Sequence, residues 1–316
     1  MMTSHEKANS ISKCIELAVL LEVSAHKPGN VSVVTDFDGT RYEHFLASAV
    51  AASSSFERAA ERGIAVAEGM TRVSQVGVGE IIKDCVLDID AWQHGGNTLL
   101  GAVILLVPVA VSAGMTPNDK GAFDVAKLRK NVKLIVESTT PEDAASVYEA
   151  IRIAKPNGLG GAPDLDVKDP ASIGRIRAER VSLFDVFKIA AEYDLVCSEW
   201  INNYPVTFDV AYPLLTQRIK ETGNVYAATI CTFLRVLAEY PDTLIARKAG
   251  IERAREVSQM ASEILRLGGP ETESGKKGLK EFDLRLRKES NLLNPGTTAD
   301  IMAAALALCV LGGYRP

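Results

Sequence analysis

The sequence lacks several features by which common classes of protein are recognised. Its five cysteines lie far apart and form no CxxC motif or Cys/His cluster, which excludes a typical structural zinc site. They are expected to be buried free thiols in a reducing compartment. Neither sign of charge dominates, because 40 Asp and Glu residues face 35 Lys and Arg residues and leave a formal net charge of -5. This balance argues against a general affinity for nucleic acid or for an anionic membrane.

Long apolar runs are also missing. The most apolar segments, residues 99–111 and 301–311, are shorter than the roughly 18 to 20 residues that span a bilayer. The first residues contain no apolar stretch of the kind found in a secretory signal peptide. We therefore expect a cytoplasmic protein without membrane partners, in which helices that are apolar on every face lie at the centre of the core.

Helical periodicity dominates the 316 residues, 47% of which are hydrophobic. Extended pieces are expected only near residues 31–35 and after Gly158, and residues 156–180, rich in Pro, Gly and Asp, predict an irregular connection. The prediction is an all-α fold, with a single compact multi-helix domain over residues 1–316 and central apolar helices. The predicted helices are one that follows Ser10 and ends near residue 25 or 26, 44–62, one that starts at 97 or 98, one that starts at Thr140-Pro141, 182–203, 206–220, 224–239, 249–267 and one that starts near 297.

The first of four candidate loops, His26-Lys27-Pro28-Gly29-Asn30, ends the first predicted helix. Pro-Gly favours a tight turn, and the Lys and His beside it could hold a phosphate group. The alternative is an ordinary helix end, in which the glycine is left-handed and both cations complement the helix dipole. Spacing alone favours this alternative.

The second loop, His94-Gly95-Gly96-Asn97-Thr98, stands directly before a predicted helix. Two glycines before a helix N-terminus can expose backbone N–H groups to an anion. Asn97 and Thr98 are candidates either to cap the helix or to contact a ligand. An ordinary capped loop explains the pattern equally well.

The third loop runs from Asp242 to Gly250 and places a carboxylate five residues before two cations, Arg247 and Lys248. A site for a charged ligand is one interpretation of this spacing. A helix cap followed by solvated basic residues is the other, and it is common. The pattern by itself does not separate the two.

The fourth loop, Asn294 to Asp300, combines a Pro-Gly turn with Thr297 and Thr298 at the start of a wholly apolar helix. The spacing Thr297-x-x-Asp300 resembles a capping box with Asp in place of Glu. A helix N-terminus anchored in the core is also a rigid place for an anion. The structural and the functional interpretations both remain open.

In this order along the chain, the four loops resemble the motifs of the triphosphoribosyl-dephospho-CoA synthase family. The resemblance extends from about Ile15 to Gly313. The family's Glu followed by Pro-Lys-Pro-Gly is similar to Glu22 and residues 26–29, its Gly-x-Asn-Thr-x-x-Gly to residues 95–101, its Asp-Thr with a basic residue and Gly to residues 242–250, and its Asn/Ser-Pro-Gly-x-x-Ala-Asp to residues 294–300.

The resemblance implies a transferase that moves the 5-triphosphoribosyl group of ATP to the 2'-hydroxyl of 3'-dephospho-CoA and releases adenine, with Mg²⁺ on the triphosphate. It implies small-molecule nucleotides as partners and a homodimer as the candidate assembly. Asp242, Asp300 and Glu22 are the implied catalytic carboxylates, and Asp242 and Asp300 the candidate Mg²⁺ ligands. Asn at either Asp is expected to remove turnover without unfolding the chain. The residues expected to bind substrate are His26, Lys27, Gly29, Asn30, Gly96, Asn97, Thr98, Thr243, Arg247, Lys248, Asn294, Gly296, Thr297 and Thr298.

Three departures from the family's motifs keep other functions open. Leu99-Leu100 stands where the family usually has His-Lys, residues 246–250 stand where it has His-Arg-Gly-Gly, and Thr297-Thr298 stands where it has Gly-Gly. The missing cation leaves room for a related ribosyl or phosphoribosyl transferase with another acceptor, in a different cofactor pathway. A non-catalytic nucleotide-binding protein is the third interpretation.

Overall fold

The computed structural model describes residues 2–119, 121–289 and 291–316, and the regular secondary structure in these ranges is almost entirely helical. The sheet in these ranges is one antiparallel pair of two-residue strands, β1 (Asn118–Asp119) and β2 (Ala122–Phe123). The all-α class is confirmed, and the assignment of one domain to residues 1–316 stays a prediction. The helices are α1 (Ser4–Ser24), α2 (Tyr42–Ala67), α3 (Val78–Trp92), α4 (Leu100–Met115), α5 (Val125–Glu137), α6 (Pro141–Ala154), α7 (Ser172–Ala178), α8 (Leu183–Ala190), α9 (Leu195–Ile201), α10 (Tyr212–Thr222), α11 (Val225–Glu239), α12 (Thr243–Ala249), α13 (Ile251–Arg266), α14 (Glu273–Arg287) and α15 (Gly296–Leu311), with a π-helical turn at Val206–Ala211 before α10 and 3₁₀ turns at Val73–Gln75 and Gly269–Glu271.

Two of the predicted segments are divided differently in the structure. The single helix predicted over 182–203 is two helices, α8 and α9. The Asp194 side chain accepts hydrogen bonds from the backbone N–H groups of Val196 and Cys197, and so starts a new helix there. The connection predicted over 156–180 is irregular up to residue 171 and then contains α7.

Helices α4 and α15 are buried on nearly every side, as their uniformly apolar sequences predict. Helix α4 crosses α2 at backbone contact: a Cβ on Gly63 would lie 2.0 Å from the carbonyl oxygen of Val111. A Cβ on Gly114 would lie 2.2 Å from the carbonyl oxygen of Ala60. Because neighbouring helices hold α4 and α15 so closely, the N-termini of both helices have well-defined positions.

The cysteines follow the expectation of buried free thiols. Cys14, Cys85, Cys197 and Cys309 are buried, and Cys231 is half-buried. Burial raises the pKa of Cys85 to about 12, so its reactive thiolate form is suppressed at neutral pH. Among the helices of the described residues, none combines the length and the apolar character needed to cross a bilayer.

Candidate active site

The N-termini of α4 and α15 face a cavity of about 760 Å³, a size common among small-molecule sites. Helix N-termini carry partial positive charge, so two of them at one cavity favour an anionic ligand. All four loops identified in the sequence contribute to its wall. The members of the expected set that line the cavity are Glu22, Lys27, Asn30, Gly96, Asn97, Thr98, Arg247, Lys248, Asn294, Gly296, Thr297 and Asp300.

Asp300 lies just after the first turn of α15, with its carboxylate against the first turn of α4. A Cβ on Gly101 would lie 2.0 Å from Asp300 Oδ2, so only glycine fits opposite this carboxylate. Among the described residues, no cation forms an ion pair with Asp300, whereas Glu22 and Asp194 in the same wall each have one. No counter-ion from the described part of the chain therefore stabilises the ionised form of Asp300, and its protonation state is set by burial and by the neighbouring carboxylates.

The pKa of Asp300 is raised well above its usual value. Burial is the largest cause, and the nearby carboxylates of Glu22, Asp242 and Asp194 add to it. A hydrogen bond from the Ala102 backbone N–H offsets part of this effect. A carboxyl group that keeps its proton well above the usual pH range of an Asp is suited to general acid catalysis.

Glu22 and Lys27 form a buried ion pair at the end of α1. Lys27 Nζ lies 3.0 Å from Glu22 Oε1, and it donates hydrogen bonds to the Glu22 carbonyl oxygen and, at 3.1 Å, to that of Ala25. The Lys27 side chain is 1% exposed. Three oxygens of the protein thus surround an ammonium group that has three protons. The structure gives Lys27 the role of a counter-ion to Glu22, in place of the expected phosphate ligand.

Asp242 lies beneath the cavity and not in its wall. It is fully buried. Its Oδ1 accepts hydrogen bonds from the backbone N–H groups of Leu244 and Ile245, at 2.9 and 3.1 Å. Its Oδ2 accepts from the backbone N–H and the hydroxyl of Thr298, both at 2.8 Å. Asp242 therefore caps α12 and α15 together, and these four bonds leave it no free lone pair for the expected base or Mg²⁺ role.

We expect Asp242→Asn to unfold more easily than the wild type, contrary to the expectation from the sequence. An amide has one acceptor oxygen, so the backbone N–H groups that faced the other oxygen would meet an NH₂ group. The loss is estimated at about 2 to 4 kcal/mol of unfolding free energy. Urea unfolding followed by circular dichroism measures it. A stable but inactive Asp242→Asn would instead restore the catalytic assignment.

The capping box expected between Thr297 and Asp300 does not form. Helix α15 starts at Gly296 without a side-chain cap from its own loop. The Thr297 hydroxyl accepts a hydrogen bond from the Thr243 hydroxyl at 3.2 Å, and Thr298 is bonded to Asp242. Because Asp242 caps α15 from another helix, Asp300 is released to face the cavity.

His26 and Gly29 hold the first loop in place outside the cavity wall. His26 Nδ1 is hydrogen-bonded to the Ser32 hydroxyl at 2.9 Å. The Gly29 N–H donates to Asp283 Oδ1 at 2.8 Å, and a Cβ on Gly29 would lie 2.7 Å from Leu286 Cδ1. Together with Thr243 and Thr298, these residues are better described as supports of the site than as its substrate contacts.

In the second loop, the structure supports the capping interpretation for Asn97, and the ligand-contact interpretation stays a prediction. Asn97 Oδ1 accepts a hydrogen bond from the Leu100 N–H at 3.1 Å, so α4 begins at Leu100, after the predicted 97 or 98. The Thr98 hydroxyl is bonded to that of Ser48 at 2.7 Å. Asn97 is nevertheless exposed to the cavity, which leaves its amide N–H groups available to a ligand.

The two cations of the third loop are both held by the protein. Arg247 forms an ion pair with Asp194, which also caps α9. Lys248 Nζ donates to the carbonyl oxygen of Asn291 at 3.1 Å, and burial lowers its pKa. Arg247 and Lys248 are therefore oriented towards the cavity by fixed partners, near the N-terminus of α15.

Comparison with known proteins identifies the family. Residues 8–316 match the family model described as ATP:dephospho-CoA triphosphoribosyl transferase. The chain belongs to this family. The family expected from the motifs is thus confirmed, and with it the class of transferases.

Individual relatives support the same assignment. The chain is 32% identical over 93 residues to 2-(5''-triphosphoribosyl)-3'-dephosphocoenzyme-A synthase of Klebsiella pneumoniae, a match that covers 29% of this chain and 30% of that protein. A Pseudomonas paraeruginosa protein assigned the same name is 23% identical over 241 residues, 75% of this chain and 69% of its own length. The crystal structure assigned as a triphosphoribosyl-dephospho-coA synthase from Archaeoglobus fulgidus has a TM-score of 0.63 and 26% identity, and covers 87% of this chain and 100% of that one.

This member of the transferase family has an apolar wall where the family usually has His-Lys. Leu99 and Leu100 line the cavity and are 5% and 8% exposed. Leu100 directly precedes Gly101, the residue opposite the Asp300 carboxylate.

Sequence reasoning missed a second side of the cavity. The end of α6 and the connection after it, from Lys155 to Val167, line the cavity together with Tyr148, Phe187 and Tyr193. Asp194 was also missed. The glycines at 158, 160 and 161 after a lysine were the available signal, and they were interpreted as part of a connection.

Proposed function

We propose that the chain transfers the 5-triphosphoribosyl group of ATP to the 2'-hydroxyl of 3'-dephospho-CoA and releases adenine. The observation that carries the proposal is Asp300, a cavity carboxylate with a raised pKa between two helix N-termini, in a chain of this family. The reaction is a substitution at the anomeric carbon of a ribose. Its transition state resembles an oxocarbenium ion, as in glycoside hydrolysis.

The proposed proton transfers use two carboxyl groups. The bond between the anomeric carbon and adenine breaks while the bond to the acceptor oxygen forms. Asp300, which holds its proton at unusually high pH, donates that proton to the departing adenine. Glu22, kept ionised in part by Lys27, accepts the proton of the attacking hydroxyl.

The triphosphate would lie against the basic side of the cavity. Arg247 and Lys248 are held there by Asp194 and by the Asn291 carbonyl oxygen. The N-terminus of α15 adds partial positive charge and the Thr297 N–H, which has no acceptor among the described residues, whereas the Thr298 N–H is bonded to Asp242. Positioning and charge stabilisation of this kind lower the barrier without further covalent chemistry.

Mg²⁺ is proposed to enter as the complex with ATP, and not to occupy a site of its own. Among the described residues, the side chains close enough together to supply three ligands to one metal ion are His5, Glu57 and Glu61. These three residues lie outside the cavity wall. Within the described ranges, no three such groups meet in the cavity wall. This suits Mg²⁺, which commonly takes one or two carboxylates together with substrate phosphates and water.

The proposal extends to the surroundings of the enzyme. We propose a cytoplasmic location, because the proposed nucleotide substrates are cytoplasmic metabolites. A homodimer is proposed as the assembly, in which a partner would cover exposed apolar side chains such as Trp92 on α3, which is 65% exposed. A mass near twice 34.0 kDa in sedimentation analysis would support the dimer, and a single 34.0 kDa species would contradict it.

The activity is tested by incubating purified protein with ATP, dephospho-CoA and Mg²⁺, and by following adenine by chromatography and the product by mass spectrometry. We expect adenine and product in equal amounts, and neither when one substrate is omitted. Product formed from phosphoribosyl pyrophosphate but not from ATP would favour the related transferase that the Leu99-Leu100 pair leaves open. Nucleotide binding without turnover of any donor would overturn the proposal.

A further inference from the structure

Lys155 differs from the other cations of the cavity. It is exposed, follows the last turn of α6, and has the left-handed backbone conformation with a φ of 45°. Among the described residues no carboxylate forms an ion pair with it, whereas Lys27 and Arg247 are paired and Lys248 is bonded to a carbonyl oxygen. Lys155 is therefore the cavity cation whose charge the protein itself leaves unused.

The backbone after Lys155 is equally unused. Within the described residues, the N–H groups of residues 157–161 have no hydrogen-bond acceptor. The chain on either side is well held: the Lys155 N–H donates to the Ile151 carbonyl oxygen at 3.0 Å, and the Ala162 N–H donates to Asp166 Oδ2 at 3.1 Å. A short run of free N–H groups between two fixed ends is suited to an anion.

The glycines of this stretch indicate a ligand as well. Gly158 has a structural reason to be glycine, because its φ is +79° and a Cβ would lie 2.7 Å from Lys248 Cγ. Gly160 and Gly161 have none: no φ in the left-handed region, and no atom within 3.4 Å of an added Cβ. Both line the cavity. Glycine at such places lets a ligand approach the backbone closely.

We propose that residues 155–161 are a polyphosphate-binding segment, in which the Lys155 ammonium and the backbone N–H groups of residues 157–161 contact the phosphate chain of the substrate. The contact between Gly158 and the Lys248 side chain places the segment beside the basic wall of the cavity. The inference rests on the proposed function, because the polyphosphate in question is the triphosphate of ATP. Residues 155–161 and the N-terminus of α15 then hold the phosphate chain from two sides.

Inorganic tripolyphosphate is the probe that tests the segment without turnover. Isothermal titration calorimetry is run on the wild type, Lys155→Ala, Gly160→Val and the control Lys168→Ala. Lys168 is an exposed lysine of the same connection that does not line the cavity. We expect Lys155→Ala to weaken binding about tenfold or more, since a hydrogen bond to a charged group contributes at least that much. Gly160→Val should weaken binding by obstruction, and Lys168→Ala should bind as the wild type does.

The outcomes separate this inference from the proposed function. Tripolyphosphate affinity that is equal in the wild type and Lys155→Ala, or absent in the wild type at millimolar concentration, overturns the inference even if adenine is released normally. Weakened binding in Lys155→Ala and Gly160→Val, with unchanged thermal unfolding, supports it even if ATP and dephospho-CoA do not react. If Lys168→Ala weakened tripolyphosphate binding as much as Lys155→Ala does, the loss would reflect the total charge of the protein. That result would also count against the inference.

Discussion

Replacing Asp300 with Asn is expected to lower the rate of adenine release by about 100- to 10,000-fold, the usual contribution of a general acid. Asn has nearly the same shape and can occupy the space beside Gly101, but it cannot give up a proton. Chromatographic initial rates at saturating ATP and dephospho-CoA measure the effect. Asp164→Asn is the matched control, because Asp164 lines the same cavity but is exposed and paired with Arg175. The control should keep its rate within a few-fold of the wild type.

The same variant should be at least as stable as the wild type, and more so as the pH rises. The Asp300 pKa is raised in the folded state, whereas an unfolded Asp releases its proton near 3.9. Stability from the protonated carboxyl is therefore complete below about pH 3.9 and is lost as the pH rises towards the folded pKa. Asn does not titrate, so the melting temperature of the variant minus that of the wild type should increase from pH 5 to pH 8. A decrease, or a rate near that of the wild type, would refute the assignment of Asp300.

Replacing Lys27 with Met is expected to cost about 3 to 5 kcal/mol of unfolding free energy, as when one partner of a buried ion pair is removed. Glu22 would remain, 8% exposed, without its cation. Burial already raises the pKa of Glu22, and Lys27 opposes that effect. Without Lys27 the pKa rises further, so the loss of stability should be larger at pH 8 than at pH 5.

The double variant Glu22→Gln/Lys27→Met provides the control for Lys27. It removes both charges, so much of the lost stability should return. Urea unfolding of both single variants and the double variant completes the cycle. The role of Lys27 as a phosphate ligand, expected from the sequence, predicts a different result: stability near that of the wild type with weaker binding of tripolyphosphate.

The sequence predicted which loops form the site, but it did not predict what each side chain in those loops contacts. The order of the four motifs identified the family, and twelve of the expected residues do line one cavity. Asp242 and Asp300 looked alike in sequence, each an Asp near a helix start. Asp242 is saturated by four hydrogen bonds from two helices, and Asp300 is packed against Gly101. The packing of α4, α12 and α15 against one another is what gives the two Asp residues different roles.

The segment 155–161 illustrates a different limit. Pro, Gly and Asp predict irregular backbone correctly, but they do not say which wall of the molecule that backbone will form. Its value as a site depends on free N–H groups and an unpaired lysine. Whether an N–H group has an acceptor and a lysine has a carboxylate partner depends on which residues lie nearby in the folded chain. Local composition does not show this.

The sequence was enough to determine the helical class, the central position of the apolar helices and the family, because these depend on patterns among residues that are close together in the chain. Apolar periodicity sets which face of each helix is buried, and Gly, Pro and hydroxyl residues mark where helices begin and end. The tertiary structure alone decided which charges are counter-ions, which carboxylate is a cap and which one faces the cavity. Charge pairing and burial depend on distances between residues far apart in the chain, and those distances exist only after α1, α4, α12 and α15 have packed together.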